Sequence, residues 1–146
     1  MAFTAEDYGR SVAAPGLIFP DQPYQTVSRC MAEGTESEGG FPVFAKKGED
    51  VKAYVEKPET DGYFLGIAQR IQILNEYPVG TPVTVVTTGM IWVVVGGDVK
   101  SGDDVALDSD GKFVALDSED ETQTAIAGGK FMSTAPSGAY AVVVLK

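Results

Sequence analysis

TPVTVVTTGMIWVVVGGDVKSGDDVAL, residues Thr81–Leu107, is the stretch on which the fold turns. Val83-Thr84-Val85-Val86-Thr87 opens with a near alternation of apolar and polar residues. A Thr88-Gly89 break follows, and Met90-Ile91-Trp92-Val93-Val94-Val95 then runs without a polar side chain. β-Branched and aromatic residues fit a pleated surface and lose rotamer freedom in a helix. Glycine accepts the positive φ that a tight reversal demands. The stretch therefore predicts two antiparallel strands reversing at Thr88-Gly89, the second buried on both faces. Gly96-Gly97-Asp98 then turns the chain into a further strand.

Working outward, short apolar runs alternate with turn residues over most of the 146-residue chain, which holds 17 glycines and 8 prolines. No long segment carries a 3.6-residue period, so helices are expected to be few and short. Strands are predicted at 41–44, 51–55, 63–68 (with Ile71 and Ile73 continuing the alternation past Arg70), 103–107, 112–116 and 139–145. Thr124–Ala127 and Lys130–Ser133 flank Gly128-Gly129. Asp108-Ser109-Asp110-Gly111 between two apolar runs is a strong local hairpin signal.

Residues 1–35 read differently. Pro15, Pro20 and Pro23 fix φ and remove ladder donors, so this part is expected as an extended arm with at most short strands, ahead of a single β-domain over 36–146. The arm carries Tyr8, Leu17, Ile18, Phe19 and Tyr24, too much apolar surface to lie alone in water. It packs either on its own barrel or on a neighbouring subunit. Glu33–Gly40 is a polar hinge between arm and body.

The order of pieces recurs. GFPVFAKKG, YFLGIAQ and YPVGTPVTVV are followed by SGDDVALDSDG, TQTAIAGG and TAPSGAYAVVVL. Val43 answers Val105, Ile67 answers Ile126, and Gly80 answers Gly138, at offsets of 62, 59 and 58. The expected fold is all-β, a small barrel or jelly-roll-like sandwich made of two pseudo-repeated β units, with Met90–Val95 tying them together. Two units closing on each other leave few free edges.

Charge and residue inventory exclude several functions. The formal net charge is −10 and the pI about 4.3, which opposes nucleic acid and anionic membranes alike, since phosphate contacts need clustered Lys or Arg. Nine acids between Asp98 and Glu121 face only Lys100 and Lys112, and they read as a solvated edge. No apolar run nears the ~20 residues of a membrane helix. The first sixteen residues lack the apolar core of a signal peptide.

The chain has no histidine, which removes Ser-His-Asp and Cys-His chemistry and His-based metal sites. Cys30 beside Arg29 has no base and reads as incidental, and a single cysteine permits no intrachain disulfide. Asp108 and Asp110 resemble part of a calcium loop, but the EF-hand register puts Ala106 at position 1 and Asp117 at position 12. Asp103-Asp104 cannot converge as acid and base, because adjacent strand residues face opposite ways. No catalytic residue, cofactor or metal is therefore expected. A ligand- or carbohydrate-binding module is the alternative, with Tyr54, Tyr63, Tyr77 and Trp92 as its candidate aromatics.

The Pro-rich arm, Gly40-Phe41-Pro42-Val43-Phe44, Leu65-Gly66-Ile67-Ala68, the run Val99–Phe113 (VKSGDDVALDSDGKF), Ala125–Gly129 and the terminal strand Gly138–Leu145 together resemble the small structural cement (capsid decoration) proteins of tailed bacteriophages. The likeness spans residues 15 to 146. It implies a β-barrel or jelly-roll-like body on the capsid exterior, bridging major capsid protein subunits, self-associated as a homodimer or homotrimer, and without catalysis. It implies no site residue by motif. The candidate interface therefore rests on Tyr8, Leu17, Ile18, Phe19 and Tyr24 of the arm.

Overall fold

The computed structural model describes residues 15–19, 22–35, 37, 39–70 and 76–146. Among the described residues nine strands follow in order: β1 (Gln25–Met31), β2 (Pro42–Lys46), β3 (Lys52–Ala53), β4 (Gly62–Ala68), β5 (Pro82–Val94), β6 (Asp104–Leu107), β7 (Phe113–Ala115), β8 (Thr124–Phe131) and β9 (Tyr140–Leu145). The described residues contain no helix, so none long and apolar enough to cross a membrane. The strands form one curled sheet ordered β2-β4-β5-β9-β8-β6-β7, with β1 attached beside β5 and β3 beside β1.

The expected reversal at Thr88-Gly89 does not occur. Residues 82–94 are one strand of thirteen residues. A type I′ hairpin needs positive φ at both central residues. Only Gly89 has it, at +126°, and Asp61 is the one described non-glycine residue on that side of φ. A single left-handed residue bends a strand instead of reversing it. The bend also changes which neighbours the strand serves. Before it, β5 pairs with β1 and β4. After it, β5 pairs with β9, from Gly89↔Leu145 to Val94↔Tyr140. Pro23 and Tyr24 cross beside the bend, and a Cβ on Gly89 would stand 2.6 Å from the Tyr24 Cβ.

Each half of β5 belongs to its own closed set of strands. In the first unit β1 pairs with β5 and, in parallel, with β3; β4 pairs with β5 and β2; and Phe44 of β2 bridges Tyr54 just past β3. In the second, β5 pairs with β9 and, in parallel, Val95 bridges Phe113 of β7; β8 pairs with β9 and β6; and β6 pairs with β7. Hydrogen bonds repeat with the topology. Met31 N–H donates to Thr81 C=O at 2.9 Å, as Val95 does to Ala139 at 3.0 Å. Gly80 donates to Met31 at 2.7 Å, as Gly138 does to Val95 at 2.8 Å. Ala32 donates to Ala53, and Gly96 to Phe113, both at 2.8 Å. The bridge Thr35↔Tyr77 answers Val99↔Ala135. The pseudo-repeat is thus explicit in the backbone, with β1 the counterpart of the second half of β5.

One sequence equivalence shifts. Ile67 pairs with Val86 and Lys130 with Val144, so Ile67 answers Lys130 and not Ile126. The cause is β8. It runs unbroken through Gly128-Gly129, joining the two segments that flank them, and bulges there with Gly128 at φ +76°.

β1 is a seven-residue strand inside the stretch read as an arm with at most short strands. Its sequence, QTVSRCM, has weak alternation, and it is held by pairing to β5. The proposed continuation of β4 through Ile71 and Ile73 lies outside the described residues. Two apolar clusters fill the interior. Met31, Val43, Ala53, Ala68, Tyr77, Val83 and Val85 sit inside the first unit. Phe44, Ile67 and Val86 join Ile91, Val93, Phe113, Phe131 and Val143 in a larger core that spans the junction.

Candidate interaction surface

Alternation on β5 decides what the second unit shows to solvent. Ile91 and Val93 point into the core and are fully buried. Met90, Trp92 and Val94 therefore face outward. Val94 is 40% exposed, and its register partner Tyr140 on β9 is 45% exposed. Met132, whose N–H donates to Val142 C=O at 2.7 Å, is also exposed. An antiparallel sheet with one face on a core usually turns polar residues outward on the other. Here the outward positions are apolar, so Met90–Val95 is not buried on both faces as its composition implied.

The described part of the arm borders this face. Gly16 N–H donates to Trp92 C=O at 2.8 Å, Trp92 N–H to Leu17 C=O at 3.0 Å, and Phe19 N–H to Met90 C=O at 3.1 Å. The segment 16–19 is thus an added strand on β5. Ile18, bridged to Ile91, packs against the larger core. Phe19 stacks at a tilt on Trp92, ring centroids 5.8 Å apart. Of the five arm residues named from sequence, Leu17, Ile18 and Phe19 come together along β5, Tyr24 is exposed beside Gly89, and Tyr8 lies outside the described residues. Met90, Val94 and Tyr140 were not named. Their signal was an unbroken apolar run in an antiparallel protein, where every second residue must look away from the core.

The first unit supplies an internal comparison. Through the repeated register, Thr26, Ser28 and Thr84 occupy the positions of Met90, Trp92 and Val142. At Thr26, Ser28 and Thr84 the first unit is polar where the second is apolar, while Cys30 and Pro82 stand at the positions of Val94 and Tyr140. The apolar face is not a requirement of the fold.

The remaining candidates have structural employment. Asp108 Oδ1 accepts the Asp110 and Lys112 amides, each at 2.9 Å, and so shapes the hairpin turn. Among the described residues no three acidic or cysteine side chains group as metal ligands. Asp103 accepts the Lys100 amide at 2.9 Å, while Asp104 pairs with Lys130 at 2.7 Å, so the two carboxylates do serve different neighbours. Arg29 donates to Glu49 C=O at 2.8 Å. A cleft of about 400 Å³ beside Pro15 and Val95 has Lys112 as the only charged residue among those described in its lining.

The four aromatics of the sugar-platform alternative do not share a surface. Tyr77 is 0% exposed, and its hydroxyl donates to Gln69 C=O at 2.6 Å. Tyr54 packs against the larger core and donates to the Glu49 carboxylate. Tyr63 is exposed on β4, and Trp92 is engaged by Phe19.

A family model described as "Structural cement protein (E217 gp24/Pam3 gp6)" matches residues 3–146. Among solved structures, a chain from "The capsid of Myoviridae Phage XM1" superposes with a TM-score of 0.71 at 16% identity, covering 91% of this chain and 89% of that one. A chain from "The crystal structure of head fiber gp8.5 N base in bacteriophage phi29" gives a TM-score of 0.48 at 15% identity, over 85% and 95% of the two chains. No curated protein sequence matches the chain.

Proposed function

Because the chain belongs to the structural cement protein family, we propose that it attaches to the outside of a phage head and bridges neighbouring major capsid subunits, with the apolar outer face of its second unit as the contact. The carrying observation is the contrast between the two units: Met90, Trp92, Val94 and Tyr140 stand outward where the repeat of the same fold carries Thr26, Ser28, Cys30 and Pro82. The exposed members of this face are Val94, Tyr140 and Met132, beside half-buried Met90 and Trp92, and an exposed apolar patch on a highly charged chain marks a protein contact surface. The −10 charge keeps free copies apart in solution before they find the lattice. Many copies act together on a shell, so each contact need only be modest. No step of this role calls for catalysis.

The test pairs Val94→Asp with Tyr140→Lys, opposite charges at directly opposed strand positions. Both side chains are exposed, so the doubly substituted protein is expected to melt near the wild type. It is expected to lose binding to expanded empty heads that lack the protein, read by co-sedimentation. Undiminished binding by the folded variant refutes the assignment of this face.

A further inference from the structure

We propose that the outer edge of β1, at Thr26 and Ser28, is a vacant strand slot that an extended segment of the capsid subunit fills on docking; this rests on the capsid-binding reading above. The repeat makes the slot visible. Ser28 answers Trp92 and Thr26 answers Met90. On β5 those two residues bond to the chain's own segment 16–19 through Trp92 N–H, Trp92 C=O and Met90 C=O. On β1 the corresponding groups are Ser28 N–H, Ser28 C=O and Thr26 C=O. They point away from β5, because Thr84, the register partner of Ser28, turns its own carbonyl to Gln69 N–H at 2.8 Å on the β4 side. Further along the same edge, Cys30 and Ala32 are satisfied by Val51 and Ala53, so the open stretch lies just before the start of the parallel strand β3. No described residue bonds to the outward edge at Thr26 and Ser28, and Gln25–Ser28 are all exposed.

The side chains record the same vacancy. Val27 answers Ile91, and each has a fully buried valine opposite, Val85 and Val143. Ile91 is 0% exposed, with Ile18 bridged to it, whereas Val27 is 36% exposed. A branched aliphatic residue of an added strand, standing to Val27 as Ile18 stands to Ile91, would cover it. The occupant is therefore an extended segment with free main-chain groups and an aliphatic side chain at that register, the mode of strand addition. Among the described residues each copy has two such edges and one segment of the Gly16–Phe19 kind, already seated on its own β5. The second edge is left for another polypeptide, and in the proposed assembly the lattice subunit is the one every copy meets.

Hydrogen exchange on the wild-type protein, free and saturating expanded empty heads, reads the slot directly. The Ser28 amide is expected to exchange rapidly in the free chain and at least tenfold more slowly on heads. Ser28→Pro removes only the outward donor, and Val27→Asp spoils the apolar seat. Each is expected to weaken co-sedimentation with heads at least tenfold while the melting curve stays cooperative. If wild type binds heads but the Ser28 amide stays unprotected and both variants bind as well as it does, the slot is refuted and the apolar face still stands. If wild type does not bind heads, the capsid reading itself fails, and the slot with it. If Ser28→Pro instead converts a free oligomer to monomer, the occupant is a second copy and the assignment to the capsid subunit is overturned. If deleting residues 1–14 raises exchange at Ser28 in the free protein, the occupant is the chain's own N-terminus, with the same consequence.

Discussion

Gly89→Ala separates the two demands placed on the middle of β5. The φ of +126° is strained for any residue with a Cβ, at a cost of about 1–3 kcal/mol. The new methyl would also stand 2.6 Å from the Tyr24 Cβ and 3.1 Å from the Tyr24 Cα, atoms on or bonded to the crossing main chain that cannot swing aside as the end of a long side chain would. Overpacking of this kind adds about 1–3 kcal/mol. The expected loss is about 3–4 kcal/mol, or roughly 10 °C in Tm for a domain of this size. Gly138→Ala is the matched control. It has φ +85° but nothing within 4 Å of its Cβ, so it bears the strain without the collision and should lose about 1–2 kcal/mol. Circular-dichroism melts and urea titrations of both variants give the difference. If Gly89→Ala loses no more than Gly138→Ala, the crossing of Pro23–Tyr24 over β5 does not constrain the bend, and the account of the long strand is wrong.

Phe131→Ala empties a fully buried position in the larger core and should cost about 3–5 kcal/mol, seen as a shift of the denaturation midpoint with little change in slope. Tyr77→Phe removes the hydrogen bond to Gln69 C=O and should cost about 1 kcal/mol at neutral pH. Burial also holds the Tyr77 phenol above its ordinary 10.0, so the unfolded chain gives up that proton first. Its contribution is complete below pH 10 and fades as pH climbs through the folded-state value; the Phe variant should show a flatter alkaline decline in Tm. Some decline should persist through Tyr54, raised chiefly by its hydrogen bond to Glu49. Asp108→Ala frees two turn amides and should cost about 1 kcal/mol, whereas added calcium should leave the wild-type melt unmoved.

Much of the strand pattern was legible because the signals were local. Asp108–Gly111 carries its turn chemistry in four residues, and Tyr140–Leu145 is an apolar run bounded by Gly138. The duplication was legible in the pairs Val43–Val105 and Gly80–Gly138, though not in Ile67–Ile126. What escaped was set at long range. Thr88-Gly89 looks like a reversal because local sequence cannot show that the chain at Tyr24 passes beside Gly89. β1 has no strong period of its own and is a strand because Pro82–Thr88 lies beside it. The apolar face was hidden for a related reason. Met90–Val95 announces burial by composition, and only the pairing of its alternate residues with β9 and segment 16–19 shows which half of the run looks outward.

The continuity of β5 has a mechanical consequence. In the bridging role proposed above, a protein clamping neighbouring subunits of a filled head would be pulled along the shell by the pressure inside. Were the two units joined by a loop, that tension would fall on the loop and on the side-chain packing between them. Here one unbroken backbone runs from the ladder of the first unit into the ladder of the second. Tension along that axis is carried by covalent bonds and loads the β1 and β9 ladders in shear, with many hydrogen bonds sharing the force. Separation of the units then requires tearing a whole strand out of one barrel, so the molecule behaves as a rivet with a single shank rather than as two beads on a string.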